Sequence, residues 1–154
     1  MSGTHLTPAE ILEILPQQRP FRFVDEIVSV SEERIEGRYT FRDDEWFYAG
    51  HFPGRPITPG VILLESMCQV GVVALGIYLF ALERPAEELR QWTTLFVEAE
   101  SEFMRSVLPG ETVTIRGERI FWRRNKLRAR VEMFAADGTL VAQTTASGLG
   151  VKHG

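Results

Sequence analysis

His51 and Glu65 are the two side chains of this sequence with the types and spacing to move protons. His51 is the only histidine away from the chain ends, where His5 and His153 lie. It sits in Gly50-His51-Phe52-Pro53-Gly54-Arg55-Pro56-Ile57-Thr58-Pro59, where three prolines and two glycines in ten residues predict a loop of stiff backbone. Imidazole is the side chain most readily used as a base near neutral pH, although a lone histidine is more often structural. Glu65 is the one formal charge in the 22 residues from Val61 to Leu82. A carboxylate there is costly unless it is paired or hydrogen-bonded. Gln69, four residues on, shares its helical face and can hydrogen-bond it, while Arg55 offers an ion pair as the alternative. Burial raises a carboxyl pKa and makes it a proton donor near neutrality. A base and a high-pKa acid flanking one apolar cavity suit elimination or hydration. Gly60 adds a third element, because the first N–H groups of a helix lack partners and a glycine lets a carbonyl approach them. Simple helix initiation explains Gly60 equally well. Cys68, one turn beyond Glu65, reads as a small buried hydrophobe, since no electropositive partner adjoins it.

These groups need a scaffold, and the pattern predicts one. Thr7-Pro8-Ala9-Glu10 has the form of a capping box with proline at the first helical position, opening a short helix that Pro16 ends. Phe21–Val30 and Arg34–Phe41 read as a strand hairpin. Thr58-Pro59-Gly60 resembles a second helix start, and Val61–Leu82 a helix apolar on all sides. Such a segment is long enough to cross a membrane, yet Glu65 lies one turn inside and no basic cluster flanks it, so a core helix is expected. Trp92–Val97, Thr112–Trp122, Leu127–Phe134 and the residues after the Asp137-Gly138 turn are further strands. Leu127, Ala129, Val131 and Met133 alternate with Arg128, Arg130 and Glu132, the period of a strand with one wet face. Gly71 and Gly76 are costly inside a helix, and either admit a neighbouring helix closely or leave room for a ligand.

At 154 residues, 44% hydrophobic and 25% charged, the chain has the bulk of one globular domain over 1–154 and not the composition of a disordered one. Its single cysteine excludes an internal disulfide and a cysteine zinc site. The Met-Ser-Gly-Thr-His start shows no secretory pattern, so a cytoplasmic location is expected. Seven basic residues and one acid between Arg116 and Arg130 give that segment +6, so the rest of a chain of net charge −4 sums to −10. That balance disfavours nucleic acid and leaves one patch able to dock an acidic partner, or merely a solvated face.

Gly50-His51-Phe52-Pro53-Gly54-Arg55-Pro56, Pro59-Gly60-Val61 and Glu65-Ser66-Met67-Cys68-Gln69 together closely resemble the signature of the FabZ-type 3-hydroxyacyl-acyl carrier protein dehydratases. Leu15-Pro16-Gln17-Gln18-Arg19-Pro20-Phe21 with Val24-Asp25, and Val107-Leu108-Pro109-Gly110-Glu111, resemble flanking motifs, so the likeness runs from about Ile14 to Ala146. The resemblance implies an α+β hot-dog fold, a long central helix wrapped by an antiparallel sheet. It implies dehydration of (3R)-hydroxyacyl carrier protein to the trans-2-enoyl product, without cofactor or metal. It further implies a homodimer, or a trimer of such dimers, with His51 of one subunit facing Glu65 of the other. Glutamate at 65, where the related FabA type has aspartate, points to dehydration without isomerisation. By the same resemblance Gly60, Gln69, Phe52 and Val61 contact substrate. The carrier protein is expected to dock on Arg124, Lys126 and Arg128. Two positions depart from the pattern: Gln17 stands where a histidine is usual, and Phe96–Glu102 is acidic where that strand is often basic. The competing functions are a hot-dog thioesterase, whose acids do not sit in such a histidine loop, and a non-catalytic acyl-binding subunit, against which the presence of both His51 and Glu65 argues.

Overall fold

The computed structural model describes residues 3–153. Helix α1 (Pro8–Ile14) starts as the sequence predicts: Thr7 Oγ1 accepts the Glu10 N–H at 3.2 Å and the Glu10 carboxylate accepts the Thr7 N–H at 2.9 Å. Six strands follow: β1 (Glu26–Val30), β2 (Arg34–Thr40), β3 (Trp92–Phe103), β4 (Thr112–Arg123), β5 (Lys126–Phe134) and β6 (Leu140–Lys152). They form one antiparallel sheet in the order β1-β2-β4-β5-β6-β3, which leaves β1 and β3 at its edges. Between β2 and β3 runs α2 (Gly60–Ala81), whose middle, Gln69–Ala74, is π-helical. The sheet wraps this helix, the arrangement of a hot-dog fold.

Helix α2 is apolar enough to cross a membrane by composition, but 67% of its most apolar window is buried within the fold. It packs on β2, β4, β5 and β6. Leu127, Ala129, Val131 and Met133 all face it from β5 and are buried, as their alternation predicts. The Arg124-Asn125 turn between β4 and β5 has positive φ at both residues, the hairpin form that matches strand twist.

Two boundaries differ from the sequence reading. Phe21–Asp25 is not strand. Its backbone bonds to side chains of α2 instead: Ser66 Oγ donates to the Phe23 carbonyl at 2.8 Å, and Gln69 takes the Phe23 N–H and the Phe21 carbonyl. Conversely β3 runs six residues past Val97, because β6 pairs with it as far as Phe103 despite the alternating glutamates.

Candidate active site

The His51 loop is held by its own backbone. The Phe52 and Arg55 N–H groups exchange bonds with the opposite carbonyls, and the Ile57 N–H reaches the His51 carbonyl at 2.9 Å. The Thr58 N–H donates to Val107 at 2.9 Å, which ties the loop to the Val107-Leu108-Pro109-Gly110 motif. The His51–Phe52 peptide is cis and the two rings stack at 4.1 Å. His51 Nδ1 lies 2.8 Å from the Ile57 carbonyl. A carbonyl only accepts, so Nδ1 carries the proton of the neutral ring and Nε2 presents its lone pair. His51 is thus half-buried and oriented with Nε2 able to accept a proton, at the start of a loop whose next five residues are exposed.

Glu65 stands one and a half turns into α2. Its carboxylate accepts a 2.8 Å bond from Gln69 Nε2, and among the described residues no cation lies within ion-pair distance, so the Arg55 pairing does not form. Burial pushes the Glu65 carboxyl above its usual range, opposed in part by the Gln69 bond. Gln69 is fully buried, and its amide is used up. Oε1 accepts the Phe23 N–H at 2.8 Å, while Nε2 donates to the Phe21 carbonyl at 2.9 Å and to Glu65. No amide proton is left for a substrate, so this side chain holds Glu65 in place. The sequence spacing showed the Gln69–Glu65 bond but not the clamp from Phe21 and Phe23, which lie 48 and 46 residues away.

Gly60 begins α2, after a Pro59 cap that makes no side-chain bond. The Ile62 and Leu63 N–H groups both return to the Pro59 carbonyl, so those of Gly60 and Val61 point outward at the positive end of the helix. Beside Gly60 lies the Phe103 ring of β3, 3.6 Å from where a Cβ would stand.

Glu65 opens onto a pocket lined by Gln17, Cys68, Val72, Thr94, Phe96 and Ser147, among others. The Gln17 Oε1 is buried there without a partner. Burial and the nearby Glu65 push the Cys68 thiol up to about 12, which keeps it protonated and inert near neutrality. His51 is not part of this pocket, and Phe52 and Val61 are exposed on the single chain, 48% and 72% respectively. One chain therefore holds Glu65, the amide that fixes it and a pocket, while His51 lies outside that pocket's lining. Among the described residues no cluster of ligating side chains could hold a metal.

The basic segment is less open than its charge implies. Arg116, Arg119, Arg128 and Arg130 pair with Glu36, Glu33, Glu98 and Glu132. Of the residues expected to dock a carrier, Arg128 is already engaged, whereas Arg124 and Lys126, like the adjacent Arg123, make no ion pair among the described residues.

Residues 15–145 match the family described as FabA-like domain. The chain is 35% identical over 127 residues to the FabZ 3-hydroxyacyl-[acyl-carrier-protein] dehydratase of Thermus thermophilus, covering 80% of this chain and 85% of that one. Identity to the protein of the same name from Clostridium perfringens is 33% over 140 residues, covering 90% and 91%. For the one from Geobacter metallireducens it is 40% over 108 residues, covering 69% and 68%. Among solved structures, a thioesterase of Haemophilus influenzae superposes with a TM-score of 0.68 at 15% identity, covering 99% of this chain and 96% of that one. The PaaI protein of E. coli gives 0.59 at 15% identity, with 80% of each chain covered. At that identity the structural likeness speaks for the fold alone.

Proposed function

The chain belongs to the FabZ-type dehydratases of the FabA-like family, and we propose that it dehydrates (3R)-hydroxyacyl thioesters on an acyl carrier protein with His51 and Glu65 as its catalytic pair. The observation that carries the site is the contrast between the two groups. His51 is fixed with Nε2 free to accept, and Glu65 is held by Gln69 in surroundings that favour its protonated form. His51 Nε2 takes the C2 proton, electrons shift to form the C2–C3 double bond, and the C3 hydroxyl leaves as water with the proton of Glu65. The Gly60 and Val61 N–H groups face the thioester oxygen as charge builds on it. Net proton transfer from His51 back to Glu65 restores both groups.

The pair comes from two subunits. His51 does not line the Glu65 pocket, and β3 is an edge strand bearing exposed Leu95, Phe96, Val97 and Phe103. A twelve-residue edge strand bearing these four exposed apolar side chains is a template for a second copy. Pairing there brings that copy toward Phe96 and the Glu65 pocket, and covers residues otherwise exposed. The enzyme works in the cytoplasm, with the carrier docked on Arg123, Arg124 and Lys126.

Incubation with a 3-hydroxyacyl carrier protein tests the reaction. The enoyl thioester is the expected product. Release of free acid would make the chain a thioesterase, and unchanged substrate a binding subunit.

A further inference from the structure

The segment from Leu15 to Phe23 meets the Glu65 pocket twice. Its far end clamps Gln69 through the Phe21 carbonyl and the Phe23 N–H, and so holds Glu65. Its near end carries Gln17 into the pocket wall. Arg22 braces that end, donating from Nε to the Gln17 carbonyl at 2.8 Å and from Nη2 to the Leu15 carbonyl at 2.9 Å. Gln18 Nε2 bonds the same Leu15 carbonyl at 3.0 Å. The Gln17 backbone is thereby fixed, yet its side-chain Oε1 is buried and among the described residues no donor reaches it. Of the buried side-chain polar atoms described, it alone is left so. Native folds rarely leave a buried acceptor unpaired, because each one lowers stability.

The other polar groups of this wall do not serve it. Ser147 Oγ donates to Glu98 at 3.4 Å, and neither the Cys68 thiol nor the Thr94 hydroxyl bonds to Oε1. Glu65 has the complementary lack. Its Oε2 accepts from Gln69, while its Oε1 has no partner among the described residues. A protonated carboxyl has a hydrogen to give, and an amide oxygen has only lone pairs. A group that completes both must accept from Glu65 and donate to Gln17, which a hydroxyl does with one oxygen. A 3-hydroxyacyl thioester offers one such group near its reacting carbons, at C3. Its carbonyl oxygen and its sulfur only accept, and its methylenes do neither.

We propose that Gln17 Oε1 holds the C3 hydroxyl of the substrate against Glu65 by accepting the hydroxyl's own hydrogen. A lone pair of the hydroxyl oxygen is then turned to the Glu65 proton. As the C3–O bond breaks, the oxygen takes that proton and keeps its own hydrogen, so it leaves as water while Gln17 neither gains nor loses a proton. The oxygen becomes more positive on the way, which makes its O–H a stronger donor and tightens the bond to Gln17 in the transition state. Gln17 thus selects acyl groups that bear the hydroxyl.

The inference rests on the dehydratase reading for its substrate, so binding and turnover are read separately. Binding uses two pantetheine amides, (3R)-3-hydroxybutyryl and butyryl, in which nitrogen replaces the thioester sulfur. An amide acidifies its C2 hydrogens far less than a thioester, so neither ligand reacts while calorimetry measures its Kd. The native chain should bind the hydroxy ligand about tenfold more tightly, the scale of one hydrogen bond to a buried group. Gln17→Leu should bind both alike and melt no lower than the native chain, since it removes an acceptor that the fold leaves unpaired. A native chain that does not distinguish the ligands, or a Gln17→Leu protein that keeps the preference, would overturn the proposal. So would equal weakening of both with a lower melting temperature, which would make Gln17 a residue of the fold. Turnover is measured with (3R)-3-hydroxybutyryl carrier protein, where Gln17→Leu should lower kcat about tenfold, and an unchanged kcat would contradict a bond that tightens in the transition state. A preference that depends on Gln17, without enoyl product from the native chain, would keep the hydroxyl site and remove the dehydratase reading. Enoyl product without any preference for the hydroxy ligand would do the reverse.

Discussion

The proposed base and acid are prepared by different means. The Ile57 carbonyl fixes the tautomer of His51, whereas burial and one amide bond set the protonation of Glu65. Replacing either by alanine should lower the dehydration rate by about 10²-fold or more, the scale of a lost acid–base group, with the fold retained. Glu65 also makes a prediction about stability. Below its ordinary value of 4.5 the carboxyl is protonated in folded and unfolded chains alike. As pH rises, the unfolded chain ionises first, and stability is lost up to the raised folded value. Glu65→Gln removes that loss, so the variant should melt higher than the native protein at neutral pH. The gap should close as pH falls below about 4.5, and thermal melts across pH check it. The sequence carried much of this, since a single charge on an apolar helix with an amide four residues on is visible in the residue types. The clamp that fixes Gln69 was not legible, because Phe21 and Phe23 offer it only their backbones and no residue type marks such a contact.

At the scale of elements, the strands with one wet face and the long helix were legible through their periods, while their ends were decided by pairing. Phe21 and Phe23 have the composition of a strand but dock on α2; Glu98, Glu100 and Glu102 have a poor strand composition but are held by β6. The π-helical stretch from Gln69 to Ala74 left no clear mark in Gln-Val-Gly-Val-Val-Ala, and it begins directly after the acid's turn, the kind of place where such segments occur. The two helix glycines also resolve here. Gly71 admits a sheet and not the second helix that the sequence left open, and Gly76 borders a cavity. Opposite responses to alanine follow. Gly71→Ala overpacks against Val131 and should cost about 1–3 kcal/mol. Gly76→Ala removes a helix penalty without a clash and should gain up to about 1 kcal/mol. Chemical denaturation of both variants tests the pair, and destabilisation by both would mean that Gly76 packs as tightly as Gly71.

Over the whole molecule, charge and edges are the features on which the proposed associations rest. The +6 of the Arg116–Arg130 segment is largely spent on neighbouring glutamates, which leaves Arg123, Arg124 and Lys126 around one hairpin turn on a chain otherwise acidic. Arg124→Glu with Lys126→Glu should raise KM for carrier-bound substrate several-fold, more so at low salt, and leave a small pantetheine thioester nearly unaffected. An equal effect on both substrates would place the change in the active site or in stability. The edge strand and the separation of His51 from the Glu65 pocket lead to the measurement that bears most directly on a shared dehydration site. His51→Ala and Glu65→Ala proteins, each inactive, are mixed under conditions where subunit exchange is shown to occur, and enoyl carrier protein is measured. Random pairing makes half of the dimers mixed, each with one intact site of two, so about a quarter of native activity should return. Activity that stays at the level of the separate variants, despite exchange, would contradict a site built from His51 of one copy and Glu65 of the other.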